Sequence, residues 1–131
     1  MCEKEINSMH ELARISIETR KYLQEYQDNI IESISQTLFE DKSNFSLLEL
    51  QNPENQIQFI INIKRHFQWI LDDCKYLNKD FQKYKDLDDF LNGEYRFFYE
   101  NAINYINDSS NLTEKVENNL IEYFKKIIKL Q

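Results

Sequence analysis

One glycine and one proline stand in a chain of 131 residues. Tight positive-φ turns and Gly-cradled phosphate loops fall by default to glycine, so a chain this poor in it is not built from hairpins. The apolar set agrees: sixteen Ile and thirteen Leu accompany only one Val and three Thr, which is not the mixture strands prefer. An all-α fold follows. At about 100–200 residues per domain the chain makes one domain, residues 1–131, around one core.

Apolar spacing places the helices. Ile6, Met9, Leu12 and Ile15, then Leu23, Tyr26, Ile30, Ile34 and Leu38, recur at steps of three and four, one face of a helix over about 5–41. The stripe weakens between Ser16 and Lys21, which predicts a break or bend. Residues 42–53 hold Phe45, Leu47, Leu48 and Leu50, a packed connector or short helix. Asn52-Pro53-Glu54 reads as a helix start, with an N-cap, a proline in the first turn and an acid near the positive dipole end. The helix to about Leu77 is the most apolar: Ile60, Ile63, Phe67, Ile70, Leu71 and Cys74, broadened by Ile57, Phe59, Ile61 and Trp69, predict a central position.

Asn78-Lys79-Asp80 is turn chemistry. Phe81, Tyr84, Leu87 and Leu91 predict a short peripheral helix stopped by Asn92-Gly93, with Gly93 as its C-terminal cap. An aromatic helix over 94–106 and a loop over 107–110 follow. A last helix from Leu112 to about Leu130 starts on a capping-box-like Asn111 and Glu114. The unequal lengths favour crossed, globin-like packing over an up-and-down bundle.

Acids outnumber bases 23 to 16, for a net charge of −7. No basic face exists to neutralise phosphates, so nucleic acid is excluded as a partner. Lys125, Lys126 and Lys129 close the last helix, where they complement its dipole. Cys2 and Cys74 make neither a metal spacing nor a disulfide framework. The N-terminus lacks an apolar signal region and no run approaches membrane-spanning length, so the expected compartment is the cytoplasm.

Catalysis finds no support. Nucleophile-elbow, zincin and phosphate-loop motifs are missing, and neither His10 nor His66 has a carboxylate at triad or ligand spacing on its own helix. Asp72-Asp73 and Asp88-Asp89 are sequence neighbours, about 100° apart on a helix, and share neither proton nor metal. Two polar residues do interrupt apolar lines: His66 among Phe59, Ile63 and Ile70, and Arg96 ahead of Tyr99, Ile103 and Ile106. Either His66 is a satisfied core histidine and Arg96 reaches a surface carboxylate, or they anchor the polar head of an apolar ligand beside Tyr99, Ile63, Phe67 and Ile70. Nothing beside His66 marks a haem pocket, so haem is not expected.

The segment Tyr22-Leu23-Gln24-Glu25-Tyr26-Gln27-Asp28-Asn29-Ile30-Ile31-Glu32-Ser33-Ile34 resembles the opening helix of the globin-like sensor domains of bacillus sporulation histidine kinases, a family that includes stand-alone sporulation-inhibitory copies. The resemblance implies a haem-free globin-like fold, a fatty acid in an internal tunnel, a homodimer, and a regulatory action on a sensor histidine kinase. The competing expectation is a small acidic helical interaction protein, such as a bacteriocin immunity protein or a phage-encoded inhibitor, with a filled core and an exposed apolar patch.

Overall fold

The structure, a computed structural model, describes residues 3–77 and 92–129. Among them the chain is all-α: α1 (Glu3–Glu40), a 3-10 helix (Phe45–Gln51), α2 (Pro53–Tyr76), α3 (Asn92–Ser109) and α4 (Glu114–Lys129). The expected turn at Asn78-Lys79-Asp80 and the helix through Phe81, Tyr84, Leu87 and Leu91 lie outside the described residues.

α1 runs unbroken through the stretch where a bend was expected. The polar gap there is not a hinge but a buried seam. Ser16 and Thr19 are both buried; Thr19 Oγ1 donates to the Ile15 carbonyl at 2.7 Å and accepts from Asn119 Nδ2 of α4 at 3.0 Å. Periodicity loses the stripe because both positions are buried polar residues, and Thr19 faces a polar partner on another helix. Nearby, exposed Lys115 pairs with Glu11, whose carboxyl the neighbouring ammonium holds below its usual range.

The connector shows why its four apolar residues divide. With three residues per turn, Leu47 and Leu50 share one face of the 3-10 helix and are buried, while Phe45 and Leu48 share another and are exposed. Side chains tie it down: Gln51 Nε2 donates to the Phe39 carbonyl, Asn55 Nδ2 to that of Glu49 and Gln56 Nε2 to that of Leu50. α2 starts as expected, with Asn52 Oδ1 accepting from Glu54 N at 2.9 Å and Pro53 in the first turn. It ends on Leu77, whose φ of 55° is the left-handed turn that stops a helix.

Two expected boundaries shift. Gly93 is not a C-terminal cap: it lies in the first turn of α3 and has no positive φ. α4 begins at Glu114 rather than Leu112; Glu117 N donates to the Thr113 carbonyl, and the Glu117 carboxylate accepts from Ser110 Oγ at 3.0 Å. Glu117, not Glu114, thus supplies the acid that closes the turn.

One core unites the described helices: Leu23, Ile30, Ile34 and Leu38 of α1 meet Phe59, Ile63, Phe67 and Ile70 of α2, the ring face of α3, and Leu120, Phe124 and Ile127 of α4. α2 is less encircled than expected, since Ile57 and Ile61 are exposed by 61% and 46%. No helix among the described residues is long and apolar enough to cross a membrane.

The N-cap of α2 gives a direct test. Asn52→Ala removes the acceptor for Glu54 N and should lower stability by about 1 kcal/mol, read as an earlier urea midpoint with an unchanged m value.

Candidate functional site

The inward face of α2 mixes rings with polar groups. Asn55, Asn62, His66 and Asp73 are all buried, and their steps of seven, four and seven keep them on one side of the helix. α3 answers with Tyr95 and Tyr99, one turn apart and both without exposed surface. Asn62 Nδ2 donates to Tyr95 Oη at 2.5 Å, and His66 Nδ1 shares a hydrogen bond of 2.5 Å with Tyr99 Oη. Both pairs are separated by 33 residues, so α2 and α3 run in the same direction where they meet.

Rings fill the space around these bonds. His66 lies 5.3 Å from the Tyr95 ring, 5.6 Å from Tyr99 and 6.1 Å from Trp69, centre to centre. Phe59 stacks on Tyr95 at 5.3 Å, Phe67 on Phe124 at 5.8 Å, and Tyr99 tilts against Phe124 at 5.4 Å. Burial removes water from the imidazole, and with Arg65 adding like charge it pushes the His66 pKa down to about 3. The ring is neutral at pH 7.

Of the six expected site residues, five come together: His66, Tyr99, Ile63, Phe67 and Ile70 all lie in the core around this seam. Arg96 does not. Its side chain is 64% exposed and its Nε donates to Glu100 Oε1, one turn on, at 3.0 Å. Tyr95, Phe98 and Tyr99 take the inward face of α3, and the charge takes the outer one. Sequence reasoning missed Asn62 and Tyr95; the readable signal was the matched four-residue spacing of Asn62 with His66 and of Tyr95 with Tyr99.

Further buried acids border the core. Asp73 lies near Tyr123, whose hydroxyl pKa is pushed far up by burial and by the neighbouring Cys74 and Asp73. Burial also raises the Glu94 carboxyl, against a backbone hydrogen bond that lowers it. Among the described residues no group of three or more His, Cys, Asp or Glu side chains could hold a metal ion.

A separate concavity lies outside this seam. A groove of about 560 Å³ opens between α1 and α2, lined by Asp28, Ile31, Glu32, Ser35, Gln36, Phe39, Ile60 and Lys64. Its α1 wall is the line Ile31, Ser35, Phe39, one position round from the core line Ile30, Ile34, Leu38. Comparison with protein-family models, curated proteins and solved structures finds no match to this chain.

The neutral imidazole fixes a pH dependence. The folded pKa lies below the unfolded one, so the stabilisation is complete above pH 6.5 and is lost as pH falls toward 3. Below pH 6.5 the unfolded chain takes up a proton that the folded chain refuses, about 1.4 kcal/mol per pH unit. This group should therefore lower stability by about 2 kcal/mol between pH 7 and pH 5. The His66 ring should stay neutral by NMR at pH 5; a folded-state ring titrating near 6.5 contradicts its burial.

Proposed function

We propose that this chain is a non-enzymatic regulatory domain that acts by docking on another protein, with a sporulation sensor histidine kinase as the partner that the resemblance of residues 22–34 suggests. One observation carries the docking reading. The interior beside residues 63–70 is occupied by the protein's own rings, whereas apolar surface is presented outside, in the α1–α2 groove and at Phe45, Ile57, Ile61 and Tyr76. Exposed apolar residues next to a concave wall are what a protein partner covers. An immunity-protein or phage-inhibitor role draws on the same observation.

A second reading, a sensor of an apolar carboxylate, is favoured by Lys64 in the lining of that groove: a fatty-acid-like chain could lie on Ile31, Phe39 and Ile60 with its head at the ammonium. Globin-like packing belongs to this proposal, as does a homodimer. Met9, Leu12 and Ile17 of α1 are exposed, while Leu120, Phe124 and Ile127 of α4 are buried in the core.

The purified chain, added to a sporulation-type sensor kinase, should bind at micromolar concentration and change the kinase's autophosphorylation rate without added lipid. Absence of binding at 100-fold higher concentration refutes the kinase as partner. Native mass spectrometry that finds a stoichiometric fatty acid on the extracted protein, together with lipid-dependent binding, replaces docking with sensing.

A further inference from the structure

We infer that the α1–α2 groove is a docking site for a basic amphipathic helix of a partner protein. The inference rests on the docking reading above and names the chemistry of what docks.

Length and shape come first. Groove residues on α1 run from Asp28 to Phe39; at 1.5 Å per residue that is about 16 Å, three turns of a helix laid alongside. The groove's apolar lining is Ile31, which is buried, with Phe39 and Ile60, which are half-buried and present the open surface. It also continues past the cavity, because Ile57 and Ile61 flank Ile60 on α2 and are exposed by 61% and 46%. A small molecule seated in the groove would leave that strip uncovered. A helix with apolar residues at three- and four-residue steps covers both.

Ser35 supplies an independent pointer. It lines the groove, is 1% exposed, and its Oγ has no hydrogen-bond partner among the described residues. Mid-helix serines ordinarily satisfy themselves on the carbonyl four residues back, as Thr19 and Thr37 of the same helix do. The hydroxyl is occluded as it stands, so a polar group of an occupant would supply the missing bond once the Ser35 side chain rotates toward the groove.

Charge selects the sign. Exposed Asp28 and Glu32 stand one turn apart on the α1 edge and face a single cation, Lys64, so the rim is net negative in a chain of net charge −7. That rim disfavours an anionic occupant and attracts lysines or arginines set beside the apolar stripe, which also speeds encounter.

The test uses the full chain and three labelled 18-residue peptides followed by fluorescence anisotropy: a Leu/Lys amphipathic helix, a Leu/Glu helix of the same apolar spacing, and a scrambled Leu/Lys peptide of equal charge. The Leu/Lys helix should bind at least tenfold more tightly than either control. The paired substitution Asp28→Lys with Glu32→Lys, both on exposed positions, should reduce that binding at least tenfold with an unchanged thermal melt. Lys125→Glu, remote on α4, should leave it unchanged. Equal binding of the scrambled peptide, or full binding to the paired variant, overturns the proposal. Displacement of the bound peptide by dodecanoate at stoichiometric concentration overturns it in favour of a lipid site, and a change of oligomeric state in the paired variant overturns it in favour of a second copy of this chain. If the paired variant still binds the kinase, the groove assignment fails while the docking reading stands.

Discussion

Two hydrogen bonds in register, Asn62 with Tyr95 and His66 with Tyr99, set how α2 lies on α3. Apolar packing alone is tolerant of sliding; any ring finds another ring after a one-turn shift. A buried amide or imidazole is not tolerant, because losing its partner costs about 1–3 kcal/mol. Sliding α2 by one turn would break one pair and mismatch the other. The seam therefore selects one alignment of the two helices and, through Phe67 and Tyr99 against Phe124, the seat of α4.

The same chemistry recurs where α1 meets α4. Thr19 receives the Asn119 amide within an otherwise apolar contact. Each long helix thus carries a polar contact that names its neighbour, against a background of Ile, Leu and Phe that would pack on almost anything. Side chains in the core carry this specificity.

Much of the fold was legible because helical period and capping are local. Asn52-Pro53 announced α2, and the lines through Leu23, Ile30 and Leu38 and through Ile63, Phe67 and Ile70 gave the inward faces. What escaped depends on partners that a single helix does not display. Thr19 reads as a weakness in α1 because its partner Asn119 lies a hundred residues away. Ile57 and Ile61 read as core because an apolar side chain does not report whether a neighbour covers it. Arg96 and Tyr99 share a helical line, yet Glu100 holds the first outside while His66 draws the second in. Of the candidate site, the buried line was visible; the groove was not, because it belongs to two helices at once.

The groove and the seam are two outcomes of one arrangement. On α1, Ile30, Ile34 and Leu38 point into the core, and Ile31, Ser35 and Phe39, about 100° round, line the groove from its margin, Ile31 and Ser35 buried and Phe39 half-buried. α2 divides likewise, with Phe59, Ile63 and Phe67 inward and Ile57 and Ile61 outward. Since the inward residues of α1 and α2 are close-packed in one shared core, the outward strips are held in a fixed relation too. Their separation is fixed before any partner arrives, so ordering the wall adds little to the cost of binding. Rigidity at the centre is what turns an uncovered apolar strip into a surface of defined shape.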